Sequence, residues 1–333
     1  MGGVAWVSGA AGFLGRHLLE QLVQDGWAVH VLLRGATPPW MDELGARVTH
    51  GALEDAAALR ASMPAGVDAV FHLAGNISSW SGDRAALERD NVVATRNLLQ
   101  VAPATGARRV VMTSTLGLFR AQRRRIDESA ALVAAHDPNP YLATKRVADD
   151  LLTAAGQGGL SVVSLHPGHI LGRYDRSGWI TLFDQGARGQ LGPAPGGSAS
   201  FCAVREVARA HVAAARIAAP ARRYVLGGAD ARYLELFARI AALVHAKPVT
   251  ATAPGFAIRT IARLAQWSSA WTGKPPTITP GLAALLVRDM LADDSRAQAQ
   301  LGYRPQPLEV MLAEAQAWWS ARDESSGGSP RRA

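Results

Sequence analysis

Tyr141 and Lys145 are the pair in this chain best suited to moving a proton. Four residues apart, they share one face of any helix that carries them. A free phenol titrates near pH ~10, too high for ready proton exchange at neutrality, and a neighbouring ammonium lowers that value by favouring phenolate. Alone, Y-x-x-x-K reads as a solvated helix face. Here it follows an apolar strand, 109–113, and a loop, 126–140, which sets it at a strand's exit. Thr113-Ser114-Thr115 stands at the carboxyl end of that strand, where open α/β sheets place their ligands. A hydroxyl there could hold a carbonyl or sugar oxygen against the phenol; a helix cap or strand-end hydrogen bond is the plainer reading.

A second constellation lies at the start of the chain. Gly9-Ala10-Ala11-Gly12-Phe13-Leu14-Gly15 follows the apolar run 4–7 and leads into an amphipathic segment, 13–24, with Leu14, Leu18, Leu19 and Leu22 on one face. Strand, glycine turn and helix form the setting that a dinucleotide fingerprint requires. Gly9 permits a tight turn, Gly12 lets backbone N–H groups reach a pyrophosphate, and Gly15 lets helix and sheet approach. The helix N-terminus adds a positive dipole for the phosphates. The spacing is G-x-x-G-x-x-G, not the commoner G-x-G-x-x-G. A nicotinamide cation seated there would help lower the Tyr141 pKa, and Lys145 could also hold its ribose.

The elements that position these residues alternate with a regular beat. Runs at 29–33, 47–50, 68–73, 109–113 and 160–165 read as further strands, with helices at 83–104 and 141–155. Continuous apolar strands separated by helices imply a doubly wound parallel sheet of the Rossmann type, buried on both faces. Past Pro167 the beat breaks, and 223–228 could return to the sheet edge. We expect a dinucleotide-binding domain over 1–165 with returning segments around 200–228. A smaller, mainly helical substrate domain would take 166–199 and 229–320, and 321–333 a disordered tail.

Composition closes off several classes. With 48% hydrophobic and 19% charged residues over 333 positions, the chain reads as globular. No apolar run is long enough for a membrane span, although peripheral contact stays open. The first strand begins at once, leaving no room for a signal peptide, and Cys202 is the sole cysteine, so a cytoplasmic setting is expected. The net charge of +8 is scattered over arginines, which argues against a nucleic-acid partner. Exceptions are Arg120 with Arg123-Arg124-Arg125, placed near the site mouth where they could meet an anionic substrate group, and Arg331-Arg332. His166, His169 and His211 lack metal-ligand spacing and read as hydrogen-bonded core or pocket residues, so no metal site is expected.

Six ordered motifs carry a family resemblance. They are the glycine turn, His72-Leu73-Ala74-Gly75, the run Asn91 to Leu99, Thr113-Ser114-Thr115, Tyr141 to Lys145, and His166 to Gly172, joined by Leu301-Gly302-Tyr303-Arg304-Pro305. Together the chain resembles the extended short-chain dehydrogenase/reductases of the NAD-dependent epimerase/dehydratase family over nearly its whole length. The resemblance implies Tyr141 as acid/base, Lys145 as its electrostatic partner and ribose anchor, and Thr115, with Ser114 behind it, as substrate-orienting hydroxyl. It implies cofactor contacts at Gly9, Gly12, Phe13, Leu14, Gly15, Leu53, Leu73, Ala74, Gly75, Pro167 and Ile170, and a supporting role for Asn91. A homodimer through the helices at 83–104 and 141–155 is a further implication.

Two positions refine the expectation. Leu33-Arg34 ends the second strand where an NAD enzyme usually carries an acid; arginine suits a 2′-phosphate, so NADP(H) is expected in preference to NAD(H). Ala52 replaces the aspartate usual after Gly51, shifting adenine recognition to Leu53, with Asp55 as a helix cap. His169 stands where sugar-nucleotide epimerases of the family carry asparagine, and the chain is similar to dihydroflavonol reductase-like, 3β-hydroxysteroid dehydrogenase-like and hopanoid-associated epimerase-like members. The expectation is an NADPH-dependent reductase of a ketone or aldehyde on a fairly apolar small molecule. A sugar-nucleotide epimerase or dehydratase with tightly held NAD is the alternative, and a non-catalytic dinucleotide-binding protein the third reading. Ile258, Ile261, Leu264, Trp267, Trp271, Leu282, Leu285 and Leu286 have the spacing of ordinary core; a greasy wall or lid, with Arg259 and Arg263 touching a membrane or carrier, is the other reading.

Overall fold

The computed structural model describes residues 2–122 and 124–325. The first part runs β1 (Val4–Ser8), α1 (Phe13–Gln24), β2 (Ala28–Leu33), α2 (Pro39–Glu43), β3 (Arg47–His50), α3 (Ala56–Ser62), β4 (Ala69–His72), α4 (Arg84–Leu87), α5 (Ala94–Ala104), β5 (Arg109–Thr113), α6 (Pro140–Gln157) and β6 (Ser161–Pro167). It continues with β7 (His169–Leu171), α7 (Ile180–Ala187), β8 (Ser198–Ala203), α8 (Val204–Arg216), β9 (Arg223–Leu226), β10 (Ala229–Arg232) and α9 (Tyr233–Leu243). The end is α10 (Gly255–Thr272), α11 (Pro280–Leu286), β11 (Asp289–Met290), α12 (Ser295–Leu301) and α13 (Leu308–Ser325).

Seven strands pair in the order β3-β2-β1-β4-β5-β6-β9, every neighbour parallel. β9 is the expected return to the sheet edge. Because β1 lies between β2 and β4, connections leave it in opposite directions, and this switch point opens a crevice at the strands' carboxyl ends. Val7, Val31, Phe71 and Val163 bury against α1, α8 and α12 on one face; Trp6, Val70 and Val110 bury against α3, α5 and α6 on the other. Burial on both faces explains why the strands read as unbroken apolar runs.

The glycine turn is fixed by contact distances. Gly9 has φ +72°, and a Cβ there would stand 2.5 Å from the Ala74 nitrogen. A Cβ at Gly15 would stand 2.2 Å from the Gly9 carbonyl oxygen, so only glycine lets α1 press onto the turn it leaves.

Four features differ from the sequence expectation. The helix expected at 83–104 is interrupted by a π-helical stretch, Glu88–Val93, whose Asn91 side chain turns away to bond Asn76. The part after Pro167 is not simply helical: β10, β8 and β11 form a small sheet with β7 alongside β8. Residues 321–325, expected in a disordered tail, continue α13, which Trp319 and Arg322 tie to Asp184. Residues 326–333, with Arg331-Arg332, lie outside the described residues, as does Arg123. Finally, the apolar residues expected as core in α10 and α11 are divided: Ile258 and Ala262 bury against Ala283, whereas Ile261, Leu264, Trp267, Trp271 and Leu282 are exposed.

Candidate active site

The sequence Asn139-Pro140-Tyr141 starts α6 with a side-chain cap followed by proline at the first helical position. Asn139 Oδ1 accepts from the Tyr141 N–H at 3.1 Å, and proline forfeits no hydrogen bond there. Tyr141 therefore sits in the first turn, where the helix dipole favours a negative oxygen. The Thr115 hydroxyl stands close enough to the phenol to favour its ionised form, and it accepts from the Gly117 N–H at 3.1 Å. The plainer reading of Thr115, a cap, is the one the structure displays. Ser114 Oγ is buried without a partner among the described residues. Such an orphan costs about 1–3 kcal/mol, and a substrate or cofactor oxygen is the kind of group that would relieve it.

One turn along α6, the Lys145 ammonium donates to the Thr113 carbonyl at 2.8 Å. Burial pushes it down to about 8, against the pull of Asp149. In the free protein enclosure outweighs the lowering expected from Lys145 and pushes the Tyr141 phenol up to about 12, with Thr115 opposing; the lowering expected from a nicotinamide cation belongs to the cofactor-bound state. Desolvation is the larger effect here.

Asp149, a further turn down the helix, was not singled out from sequence although it extends the Tyr141–Lys145 spacing. Fully buried, it accepts from Arg222 at 3.0 Å and Arg223 at 2.5 Å, and from Ser164 at 3.3 Å. Ser164 bonds His166 at 2.9 Å, and His166 reaches the Thr115 carbonyl at 3.2 Å. His166 is pushed down to about 4, chiefly by burial, and is neutral. His169 bonds the Tyr233 hydroxyl at 2.8 Å among Trp179 and Phe201, and burial likewise holds it near 4. His211 bonds Thr113 Oγ1 at 2.7 Å. All three histidines are hydrogen-bonded and uncharged. No spacing could reveal Tyr233, which only the tertiary fold brings to His169.

Three cavities lie near the pair, walled by its neighbours and not by Tyr141 or Lys145 themselves. A first, of about 350 Å³, is walled by Gly9, Gly12, Arg34, Leu53, Leu73, Ala74 and Gly75, with Asp90 and Glu54. Phe13, Leu14 and Gly15 are not in its wall; they form the first turn of α1 behind it, with Leu14 and Gly15 buried. Leu53 is held there by Asn97, which donates to the Leu53 and Glu54 carbonyls at 3.1 and 2.9 Å. Asp55 caps α3 through the Ala57 and Ala58 N–H groups. A small pocket of about 70 Å³ is walled by Thr115, Pro167, His169, Ser200 and Tyr233. Ile170 is outside it and packs half-buried on the core. Sharing Gly117, Leu285 and Met290 with that pocket is a cavity of about 1080 Å³, whose apolar wall includes Phe119, Val133 and Leu142. Tyr141 packs in one cluster with Leu285 of this wall, and Lys145 lies behind Gly75, where a Cβ would stand 3.7 Å from its Nζ.

The arginine cluster is divided by the fold. Arg125 is committed to Asp230 and to the Ala292 carbonyl, and Arg124 to Ser129 and Asp127. Arg120 walls the large cavity together with Arg263 and Arg288.

The glycine cradle, the switch-point crevice and a polar wall at Arg34 fit a dinucleotide in shape and chemistry. A sequence model of the NAD-dependent epimerase/dehydratase family matches residues 5–227. The chain belongs to that family. It is 28% identical over 330 residues to a putative dihydroflavonol 4-reductase of Synechocystis, covering 94% of each chain. It is 30% identical over 310 residues to the 4-hydroxy-2-methyl-3-oxo-4-farnesyl-3,4-dihydroquinoline-1-oxide ketoreductase of Stigmatella aurantiaca, covering 90% of this chain and 91% of the relative. The crystal structure of gox2253 superposes with a TM-score of 0.82 at 23% identity, over 98% of this chain and 99% of the other, and shares the fold. The protein is an extended short-chain dehydrogenase/reductase, an NAD(P)-dependent enzyme of the oxidoreductase type.

Burial of Lys145 opposes stability. Its folded value, about 8, lies below its ordinary 10.5, so the unfolded chain binds more protons between those pH values and stability rises with pH across that window. Lys145→Met should therefore be more stable than wild type at pH 7 by up to about 3 kcal/mol. The gain should vanish by about pH 10.5, as read by denaturant titration; a variant less stable than wild type at pH 7 would refute this.

Proposed function

We propose that the protein reduces a ketone or aldehyde carried by a fairly apolar small molecule, with NADPH as the preferred cofactor. The carrying observation is that Tyr141 packs with Leu285 of the large, apolar-walled cavity, beside Thr115 of the small pocket, one helical turn from Lys145, which lies behind Gly75 of the glycine-cradled crevice. When bound, a reduced nicotinamide supplies hydride to a carbonyl carbon. Tyr141 gives the carbonyl oxygen its proton, and Thr115 donates a hydrogen bond to the charge developing there. Ser114 supplies a second hydroxyl. Lys145 holds positive charge behind the phenol and offers donors to the nicotinamide ribose. In this reading residues 1–165 with the return around 200–228 hold the dinucleotide, and 166–199 with 229–320 shape the substrate side.

The relatives named as reductases support this reading over epimerisation of a sugar nucleotide, as does a neutral His169 already bonded to Tyr233. Presence of both Tyr141 and Lys145 weighs against a purely binding role. Tyr141→Phe should lose turnover of carbonyl compounds by at least about a thousandfold, while NADPH affinity stays within about twofold. Retained turnover would overturn the assignment.

Preference for NADPH rests on Arg34. Its guanidinium lines the crevice, largely exposed, and contacts Asp90 at 3.0 Å. Asp90 also holds Arg89 at 3.1 Å and Asn76 at 3.2 Å, so it keeps partners if Arg34 turns away. An exposed pair is worth about 0–1 kcal/mol, less than a charge-assisted bond to a 2′-phosphate, about 1.5–3 kcal/mol. Arg34→Ala should raise KM for NADPH by roughly tenfold to a hundredfold and leave NADH nearly unchanged; steady-state kinetics with both cofactors would show it, and equal effects would contradict it.

A further inference from the structure

Helix α10 is built inside out. Ile258, Ala262 and Ser269 point inward, whereas the larger residues face water: Phe256 is 69% exposed, Leu264 62%, Trp267 66% and Trp271 79%, with Ile261 beside them at 57%. The spacing of 256, 264, 267 and 271, with Thr260 between, draws one stripe along the helix. Trp267 and Trp271 stack edge to face, with ring centroids 6.0 Å apart. A stripe of this kind in water is unfavourable unless something covers it.

Charge identifies the occupant. No aspartate or glutamate occurs between Glu235 and Asp289, while Arg259, Arg263, Lys274 and Arg288 all fall there and are exposed. Arg259 and Arg263 flank the apolar stripe. A second copy docked symmetrically would bring these arginines against their own equivalents with no carboxylate on the helix to pair them. An anionic lipid surface meets both features, because indole rings favour the headgroup level and basic flanks favour negative lipid. The helix lies beside the substrate opening: Arg263, Gln266 and Trp267 wall the large cavity, and Gln266 donates to Ser81 at 3.3 Å. The α11 cap Thr279 bonds Ser79 at 2.6 Å, and Gly281 presses on Asn139, the cap of the helix that carries Tyr141.

We propose that α10 docks the protein flat on an anionic bilayer, its Phe256–Trp271 stripe in the headgroup boundary, so that the substrate cavity opens at the lipid surface and admits a membrane-borne carbonyl compound. Docking stands on this face alone; the nature of the cargo rests on the reductase reading. None of the described helices is long and apolar enough to cross a membrane, so contact is confined to one leaflet. Arg263 with Arg120 and Arg288 would face a polar or anionic head while the chain lies along Phe119, Val133 and Leu142.

The full chain tests this by co-sedimentation with phosphatidylcholine vesicles, with and without phosphatidylglycerol. The comparison protein is Phe256→Ser/Leu264→Ser/Trp271→Ser, three positions outside the cavity walls, checked for folding by circular dichroism and by NADPH binding. Wild type should pellet with the anionic vesicles, and the triple variant should lose partitioning by about tenfold or more. Added salt should weaken wild-type binding. With a long-chain ketone embedded in those vesicles the variant's kcat/KM should fall about tenfold, and with a short water-soluble ketone it should match wild type. Wild type left in the supernatant, equal binding to neutral vesicles, or a triple variant that pellets like wild type would overturn the proposal. So would a wild-type dimer that the triple substitution splits in the absence of lipid, which would make a second copy the occupant. Vesicle binding without any carbonyl turnover would uphold docking and defeat the reductase reading alone.

Discussion

The site is organised by the burial of one ammonium. Lys145 is enclosed, bonded to the Thr113 carbonyl, and balanced electrostatically by a fully buried carboxylate one turn away. That carboxylate, Asp149, is tolerable in the interior only because Arg222, Arg223 and Ser164 satisfy it. The pairing requires β9, which carries Arg223, to lie beside β6, and it requires α6 to cross over β5. His166 completes the circuit by reaching from Ser164 to the carbonyl of Thr115, the residue that meets the phenol. Segments far apart in the chain are therefore fixed to one another around a charge that by itself opposes folding. Stability given up at Lys145 keeps a cation behind Tyr141.

The crevice at the switch point is a separate construction, governed by steric closeness and not by charge. Gly9 and Gly15 bring the first turn, α1 and the strand end after His72 into mutual contact, and Asn91, swung out on a π-helical turn, ties Asn76 to Thr144 at 3.0 Å on α6. The cradle and the proton site are joined through that one amide. Such a link explains why an irregular stretch interrupts the long helix between β4 and β5: a regular α turn would aim Asn91 elsewhere.

Much of this was legible in the sequence because local rules and tertiary demands agree. The parallel strands are apolar throughout, the glycines sit at a strand exit, and Tyr141 and Lys145 keep helical spacing. The β9 return was legible for the same reason. The small second sheet was not: β7 has three residues and β11 two, too few to show a period, and β10 carries Asp230 and Arg232. Spacing in α10 marked its apolar residues as ordinary core and did not reveal which face is buried, since small residues point inward and tryptophans outward. The upward shift of Tyr141 in the free protein was not legible, because sequence reveals nearby charges and conceals enclosure. Arg125 looked like a free charge only because Asp230 lies far away in the chain.

The central claim is that enclosure holds the Tyr141 phenol protonated in the free protein, even with Lys145 one turn away, until the cofactor's positive charge is added. Ultraviolet difference titration of wild type against Tyr141→Phe, with and without NADP⁺, measures this directly. The account predicts a phenol titrating near 12 in the free protein and moving toward neutrality when the oxidised cofactor binds. A value that stays the same on binding, or one already at the ordinary phenol value in the free protein, would contradict it.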